Sequence, residues 1–407
     1  MTDFPREVDV LVAGAGPAGS AVAGLLADSG LSVLAVDRAA FPRDKPCSEY
    51  MSPEAVRILS RLGALDALER AGAALPRSTK VIASRGASLH GVFDHASHQP
   101  YRSTGLAISR RLLDQELLDQ ARRKGALVRE RTLVEELLYE SGGVAGALLR
   151  DAAGQRHPLR ARLTIGADGL RSVVARRIGR RSYGLPRRLA FVAHMTGVEG
   201  TGPYAELHVS DAGYVGLNPI GSDRTNVALV VPAASVKSSG GRMNQFFAEQ
   251  LERFPQVTGR LIRAEFVRPL LATGPFSAWS GRVIAPGAAL VGDAADFFDP
   301  FTGEGIYSAL RGAELLADTA RQALAVPGAI TLDRLRPYQR SRRRMFTGKW
   351  LVERMIGYGM TVPALFNHAV GRLGRRAGMA HTLIGVTGDF VPAREVLNPR
   401  FLARMLL

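Results

Sequence analysis

The sequence predicts an α/β fold in which a second, α+β lobe is inserted into the first and a helical region ends the chain. Three observations predict it. An apolar strand, a glycine-rich turn, an alanine-rich helix and a second apolar strand follow one another over residues 8–37. Residues 181–282 change to short strand-like runs typical of an antiparallel sheet. From residue 332 onward the pattern is helical.

The composition fits a large globular chain. Its 407 residues are too many for one compact core, and 46% of them are hydrophobic with a mean hydropathy of +0.02. The apolar runs are shorter than the ~18 residues that a membrane span needs. The first strand begins by Val8, which leaves no room for a signal peptide, and the single Cys47 excludes an internal disulfide framework. We therefore expect a cytoplasmic protein.

The net charge of +16 comes mainly from arginine. Two interpretations of this charge stay open. The arginines are simply solvated on the surface, or they attract an anionic partner such as a phosphorylated substrate, an acidic carrier protein or a lipid surface. The basic residues follow no nucleic-acid recognition module, so we expect no nucleic-acid partner. Histidines 90, 95 and 98 lack a carboxylate or cysteine cluster with ligand spacing, so we expect no metal.

The first element, residues 8–37, reads VDVLVAGAGPAGSAVAGLLADSGLSVLAVD. Its turn has the form Gly-x-Gly-x-x-Gly, with the glycines Gly14, Gly16 and Gly19. These glycines allow a tight turn, a close approach of a pyrophosphate to the backbone, and close packing of helix on strand. The positive end of the helix then faces the phosphates. Asp37, followed by Arg38, is placed to bind a ribose, so the segment predicts a Rossmann-type dinucleotide site.

The next elements continue the first lobe and enter the second. Ser52 as N-cap and Pro53 at the first helical position predict the start of a helix over residues 54–71. The pattern then predicts strands near 80–93, a helix at 110–123, strands at 126–138, 143–150, 156–166, 189–197, 204–210, 213–219 and 224–232, a helix near 242–252, a strand at 288–293 and a helix at 303–325. The last region reads as helices broken by Pro337, Pro363 and Pro392.

These elements predict three structural units. The first lobe is assigned residues 1–75, 100–180 and 283–331. The second lobe is assigned residues 76–99 and 181–282, and residues 332–407 form the helical C-terminal region.

Three motifs occur in a fixed order: the glycine turn, Gly-Ala-Asp-Gly-Leu-Arg-Ser at 166–172, and Leu-Val-Gly-Asp-Ala-Ala-Asp-Phe-Phe-Asp-Pro-Phe-Thr-Gly-Glu-Gly-Ile at 290–306. Together they closely resemble the FAD-dependent oxidoreductases of the p-hydroxybenzoate hydroxylase fold, which include aromatic hydroxylases, flavin-dependent halogenases and geranylgeranyl reductases. The resemblance extends to the helix that ends near Ala325. It implies that the first lobe is a Rossmann-type FAD-binding domain and the second a substrate domain.

The resemblance also implies which residues contact FAD. Asp293, after Gly292, resembles the aspartate that binds the ribityl chain, where a carboxylate can accept several hydroxyl groups. Arg110 resembles the arginine of an Arg-x-x-x-Asp helix that contacts FAD, and Asp168 with Gly169 resembles a motif implicated in FAD and NAD(P)H binding. The turn beside the isoalloxazine ring is matched by Pro300, Thr302, Gly303 and Gly305. No second glycine triplet follows, so NAD(P)H is expected to bind only transiently over the flavin, as the reductant.

Two segments depart from the sub-family patterns. Residues 41–47, FPRDKPC, are similar to the segment that contains the cysteine of geranylgeranyl reductases, but Ser-Glu-Tyr follows here in place of glycines. Residues 213–219, GYVGLNP, align with the Tyr-x-Trp-x-Phe-Pro motif of that branch, and Gly216 and Asn218 replace both inner aromatics. We therefore expect a wider substrate pocket, lined by these two residues and Tyr50.

The wider pocket favours an NAD(P)H-driven monooxygenase that hydroxylates or epoxidises a hydrophobic or lipid-like substrate. The alternative is an ene-reductase of the geranylgeranyl reductase type that saturates isoprenoid double bonds. More distant alternatives are a halogenase, whose tryptophan-rich motif is missing, and a flavin-binding module without turnover. The candidate catalytic residues are Cys47, Glu49 and Tyr214, and a purely structural role stays open for each.

The C-terminal region adds one hint about partners. Five arginines between residues 336 and 344 precede an apolar stretch at 350–360. A basic helix with an apolar face docks on an anionic membrane or an acidic carrier protein, or packs on the core with its arginines in solvent. The first alternative would place the protein at a membrane periphery.

Overall fold

The computed structural model describes residues 4–179, 181–236 and 241–407. The strands are β1 (Glu7–Ala13), β2 (Val33–Val36), β3 (Tyr50–Met51), β4 (Ser78–Ile82), β5 (Ser88–Val92), β6 (Leu106–Ala107), β7 (Leu127–Arg129), β8 (Leu133–Glu140), β9 (Gly143–Arg150), β10 (Arg156–Gly166), β11 (Arg181–Tyr183), β12 (Arg188–Thr196), β13 (Tyr204–Ser210), β14 (Gly213–Pro219), β15 (Thr225–Pro232), β16 (Glu265–Phe266), β17 (Leu271–Thr273), β18 (Ala278–Ser280), β19 (Ile284–Ala285), β20 (Ala288–Leu290) and β21 (Asp296–Phe297). The helices are α1 (Pro17–Ala27), α2 (Pro53–Leu62), α3 (Leu65–Arg70), α4 (Arg110–Arg123), α5 (Val173–Ile178), α6 (Ala233–Val236), α7 (Met243–Leu251), α8 (Pro255–Thr258), α9 (Gly305–Ala325), α10 (Leu332–Gly359), α11 (Pro363–Gly374), α12 (Ala377–Thr387), α13 (Arg394–Leu397) and α14 (Pro399–Leu406).

The first sheet has a parallel centre of strands in the order β20, β10, β1, β2 and β7. The strands β1 and β2 are apolar because helices α1 and α9 cover one face and α5 with β8 and β9 covers the other. Parallel strands place their carboxyl ends at one edge, and here those of β1, β2, β10 and β20 meet. The loops that follow them carry the glycine turn and the residues Asp37, Asp168 and Asp293.

The second sheet has the order β16, β12, β15, β14, β13, β4 and β5, and β17 pairs with β12. Its pairs are antiparallel except for β13 with β4. One face packs on α7 through Phe246 and Phe247, and the opposite face packs on Phe301 and on Met360 of the C-terminal region. The predicted α/β fold class is therefore confirmed, with two large sheets and many helices.

The C-terminal region differs from the prediction in two places. Pro337 does not break a helix, because it lies in the second turn of α10, where only the bond to the carbonyl of Asp333 is lost. Arg342 does not face solvent, because it is buried and pairs with Asp296. Among the described residues, no helix has the length and apolar character that crossing a membrane requires.

The helix predicted for residues 54–71 is divided into α2 and α3. Gly63 ends α2 in a left-handed conformation at φ 81°, which glycine adopts without a Cβ clash. Ser52 caps α2 as predicted, with its hydroxyl accepting from the N–H of Ala55 at 3.4 Å.

Candidate functional site

The glycine turn joins β1 to α1 in a space that allows no larger residue. Gly14 has φ +95°, and a Cβ there would lie 2.5 Å from the carbonyl oxygen of Ala167. A Cβ at Gly19 would lie 1.8 Å from the carbonyl oxygen of Gly14. Gly16 is the N-cap of α1 and offers no side-chain cap, so the first N–H groups of the helix stay available to an anion.

Three cationic side chains, Arg43, Lys45 and Arg110, lie in front of this turn. We call these side chains together with the glycine turn the cradle. A Cβ at Gly16 would lie 3.5 Å from Nη2 of Arg43 and 3.8 Å from Nη2 of Arg110. The guanidinium of Arg110 donates two hydrogen bonds, of 2.7 and 2.8 Å, to the carboxylate of Asp114, which orients it. Lys45 lies near both arginines, and burial together with their charges lowers its pKa. Cations gathered at a helix N-terminus fit the two negative charges of a pyrophosphate.

Asp37 is fixed at the end of β2 beside the same turn. Its Oδ2 accepts from the N–H of Ala15 at 2.9 Å and its Oδ1 from the N–H of Ala39 at 2.9 Å. Arg43 lies 3.7 Å away, and Arg38 is exposed. The carboxylate is therefore held where the resemblance places a ribose, next to the pyrophosphate cradle.

Asp168 and Gly169 follow β10, and the backbone of Asp168 packs against the glycine turn at Gly14. Asp168 Oδ2 accepts from the N–H of Val173 at 2.7 Å and so caps α5, while its Oδ1 is buried and unpaired within the described ranges. Burial raises the pKa of this carboxyl group. Gly169 has φ +78°, and a Cβ there would lie 3.7 Å from Nζ of Lys45. This motif therefore adjoins the cations of the cradle.

Asp293 follows β20 in a short 3-10 turn that starts at Gly292, which has φ +62°. Burial raises the pKa of Asp293, and the positive charges of Lys45 and Arg110 oppose that rise. Arg181 donates to its backbone oxygen at 2.8 Å. The carboxylate therefore lies on the cation side of the cradle, where it could accept from the hydroxyl groups of a polyol.

The flavin turn, residues 300–305, connects β21 to α9. Pro300 to Thr302 form a 3-10 turn. The N–H of Phe301 in this turn donates to Oδ1 of Asp299 at 3.2 Å. Gly303 has φ +73°, and a Cβ there would lie 2.9 Å from the ring of Tyr50. Gly305 begins the 21-residue helix α9, which has no side-chain cap. Its free N–H groups can stabilise negative charge on a neighbouring ring.

Glu49 joins the second sheet to the start of α4. It has φ 59° and is 1% exposed. Its Oε1 accepts from the N–H of Arg110 at 2.8 Å, and its Oε2 accepts from His194 Nε2 at 2.6 Å and Asn226 Nδ2 at 3.0 Å. Both oxygens of this carboxylate are engaged in holding the second sheet to the start of α4.

Cys47 lies two residues earlier. Its carbonyl oxygen accepts from Asn226 at 2.7 Å, and its Sγ accepts from the N–H of Glu49 at 3.4 Å. Burial raises the pKa of the thiol, although nearby Arg110 acts against the rise. The thiol form is therefore favoured near neutral pH.

Tyr214 points from β14 to the flavin turn. Its hydroxyl donates to Asp299 Oδ1 at 2.5 Å, and Arg188 donates to Oδ2 of the same carboxylate at 2.7 Å. Burial and the charge of Asp299 raise the pKa of Tyr214 well above its usual value. The hydroxyl thus links the second sheet to Asp299, the residue just before the turn.

The three predicted pocket residues separate into two places. Gly216 and Asn218 share a face of β14 with Tyr214. The nearest atoms to a Cβ at Gly216 would be 3.9 to 4.0 Å away and belong to neighbouring strands, and Asn218 donates to the carbonyl oxygen of Ser48 at 3.0 Å. Tyr50 is buried against the C-terminal helices instead.

Residues 7–348 match the FAD binding domain family, which covers most of the chain. The chain belongs to this family. The cradle cations, the unpaired oxygen of Asp168 and the open N-terminus of α1 all suit the dinucleotide part of FAD. FAD is the cofactor, and the protein is an FAD-dependent oxidoreductase.

Two curated relatives are reductases. The digeranylgeranylglycerophospholipid reductase of Methanosarcina acetivorans is 28% identical over 350 residues, which cover 84% of this chain and 81% of the relative. The menaquinone reductase of Mycolicibacterium smegmatis is 26% identical over 393 residues, which cover 94% and 92%. Both alignments extend over most of the length of the relatives.

A solved structure shares the fold. The geranylgeranyl bacteriochlorophyll reductase-like protein of Thermoplasma acidophilum superposes with a TM-score of 0.80 at 23% identity, covering 98% of each chain. The resemblance to FAD-dependent oxidoreductases, which include geranylgeranyl reductases, is therefore confirmed at the level of family and fold.

Several residues in and around the candidate site were missed by sequence reasoning. Arg43 and Lys45 had a signal, since they are basic residues in a loop just after the second strand of a dinucleotide motif. His194 and Asn226 had none, because they are neighbours only through the pairing of β12 with β15. Asp299 lies in a recognised motif, but only the fold brings Arg188 and Tyr214 to it.

Proposed function

We propose that this FAD-dependent oxidoreductase is an ene-reductase that saturates carbon–carbon double bonds in the isoprenoid chain of a lipid. The observation that carries the proposal is that both curated relatives described above are reductases named for isoprenoid lipids, and both match over most of their length. These comparisons favour the reductase alternative over the monooxygenase expected first from the pocket residues.

The face of the second sheet next to the flavin turn suits an isoprenoid chain. It is lined by the buried apolar residues Ala190, Val192, Leu207, Val209 and Val230. Phe301 and Met360 pack against this face, and space remains over Gly216. An apolar chain placed there gains roughly 25 cal/mol for each Å² it removes from water.

The chain's own residues hold and orient the reactants. The glycine turn, the cradle cations and Asp293 would hold the dinucleotide, and the N–H groups at the start of α9 would stabilise negative charge beside the ring. Bound FAD supplies the hydride chemistry. Glu49 fixes the second sheet to the start of α4, and Tyr214 fixes it to Asp299 beside the flavin turn. We include NAD(P)H in the proposal as the transient reductant.

Product analysis under two atmospheres tests this function. The purified yellow protein is mixed with NADPH and a geranylgeranyl lipid, with and without oxygen, and the molecular masses of the lipid products are measured by mass spectrometry. We expect a product that gains two hydrogens per reduced bond and forms without oxygen. The FAD-free variant Gly16→Val is the control and should give no product.

A different outcome would support the monooxygenase instead. If product forms only in the presence of oxygen and is heavier by one oxygen atom, the ene-reductase proposal is wrong. Protein that carries no flavin after purification would contradict the FAD site itself.

A further inference from the structure

A group of ionisable side chains, each no more than 13% exposed, lies beside the flavin turn and outside the FAD cradle. We call it the carboxyl cluster, and its members are Glu304, Lys349, Glu353 and Asp389. Glu304 is 2% exposed and Lys349 is 8% exposed. Glu304 belongs to the flavin turn, whereas the other three come from the C-terminal region. The cluster therefore connects the turn to α10 and to the loop after α12.

The contacts within the cluster leave too few donors for its acceptors. Lys349 Nζ donates to Asp389 Oδ2 at 2.5 Å and lies 3.9 Å from Glu353 Oε1. Glu304 Oε2 accepts from Ser52 at 3.1 Å, while its Oε1 is buried without a donor among the described residues. Asp389 lies within hydrogen-bonding reach of the Glu304 carboxyl group. Two carboxyl groups in this position hydrogen-bond only when one of them carries a proton.

The charge balance leads to the same conclusion. Three carboxyl groups face one ammonium group, so full ionisation would leave two uncompensated negative charges in the interior. Nearby ion pairs do not offset them, because Glu54 pairs with Arg57 at 2.8 Å and Asp299 pairs with Arg188 at 2.7 Å. The other titratable or charged groups that influence the cluster are Tyr50, Tyr307, Arg311 and Arg354.

Burial acts on the titration of the carboxyl groups in the expected direction. It raises the pKa of Glu304 well above its usual value and also raises that of Asp389. It raises the pKa of Glu353 to about 7. Burial by itself would lower the pKa of Lys349, but the three neighbouring carboxyl groups raise it above its usual value. The ammonium form of Lys349 therefore persists.

We propose that the carboxyl cluster is a proton store for the FAD site: Glu304 and Asp389 share one proton when FAD is oxidised and take up another when FAD is reduced. Reduction by a nicotinamide-type donor adds negative charge near the N-terminus of α9, where Glu304 lies. A proton from solvent then forms an O–H bond on the remaining carboxylate, and that bond breaks when FAD is reoxidised. Lys349 acts as a positioning residue that keeps the charge of the pair balanced.

Most of this cluster lies outside the family match. The match ends at residue 348, and Lys349, Glu353 and Asp389 all follow it. The proton store depends on FAD binding, which the family shows, and not on the lipid substrate. It would serve a reductase and a monooxygenase alike.

Proton counting tests the inference on the protein purified with its FAD. The number of protons taken up per two electrons is read from the pH dependence of the FAD midpoint potential between about pH 6 and 8. We expect the wild type to take up about one proton more than Glu304→Gln or Asp389→Asn. Asp318→Asn is the matched control, since Asp318 is an exposed residue of α9 that should leave the count unchanged.

The outcomes separate this inference from the proposed function. Equal proton counts in the wild type and in FAD-bound Glu304→Gln would overturn the proton store, even if lipid reduction is observed. A role limited to folding would change stability and leave the count unchanged. If the variants do not fold, the infrared difference spectrum of wild-type reduction must show a change in a protonated carboxyl band, and its absence would overturn the inference.

Discussion

At the residue scale, we expect FAD retention to depend most directly on Gly16. A Cβ there would already lie 3.5 Å from the Arg43 guanidinium, so a branched side chain would fill the pyrophosphate space. We predict that Gly16→Val lowers the FAD content of the purified protein to below roughly a tenth of the wild type. FAD absorbance per protein after gel filtration measures it. Gly378→Val is the control, because a Cβ at that exposed helical position would meet no atom within 4 Å outside its own helix turn.

Gly216 tests the substrate face without touching the cradle. We predict that Gly216→Phe keeps FAD but lowers kcat/KM for a geranylgeranyl lipid by about tenfold or more, because an aromatic ring fills the space over β14. Gly216→Ala should behave like the wild type, since its Cβ would make only ordinary contacts at 3.9 Å or more. Equal activity of the two variants would contradict a substrate path over this strand.

At the scale of elements, Glu49 joins α4 to β12 and β15. Glu49→Ala leaves His194, Asn226 and the N–H of Arg110 without their common acceptor in a buried place. We predict that the free energy of unfolding falls by roughly 2–4 kcal/mol, measured by chemical denaturation. Glu395, whose side chain is 38% exposed and pairs only with the exposed Arg394 among the described ion pairs, is the control, and Glu395→Ala should change the free energy of unfolding by less than about 0.5 kcal/mol. Similar values for both variants would show that Glu49 does not hold these elements together.

The packing of α10 on the flavin turn should make stability depend on pH. Burial raises the pKa of Glu353 from 4.5 to about 7, so its contribution is complete below about pH 4.5 and is lost as the pH rises through 7. We predict that Glu353→Gln removes roughly 2–3 kcal/mol of the wild-type loss in stability between pH 5 and 8. Thermal unfolding across that range measures it. An unchanged slope in Glu353→Gln, with Glu395→Gln as the control, would contradict the prediction.

Contacts between residues close in sequence could be predicted, whereas most contacts between distant residues could not. The glycine turn with Asp37 is local, and the edge where it meets Asp293 follows from the parallel strand order. The pairing of His194 with Asn226 depends on strand register, which no local pattern specifies. The burial of Arg342 against Asp296 was also missed, because a basic helix facing solvent is the usual case.

At the scale of the whole molecule, the proposed cofactor and substrate sites lie on different sheets. The first sheet provides the FAD cradle, the second sheet provides an apolar face, and the C-terminal helices pack against the flavin turn. The fold class and the FAD family could be predicted because three ordered motifs carry them. The reaction could not, because the replacement of two aromatics by Gly216 and Asn218 in β14 changes the space beside the strand and supplies no group that would distinguish reduction from oxygenation. The relatives, not the pocket residues, favour reduction.

The most direct test of the central claim is a single turnover without oxygen. The FAD of the purified protein is reduced, excess reductant is removed, and a geranylgeranyl lipid is added while the flavin absorbance is followed. The ene-reductase proposal predicts that the lipid alone reoxidises the flavin, with one double bond saturated per FAD. Flavin that stays reduced until oxygen is admitted, followed by a product that carries one more oxygen atom, would contradict it.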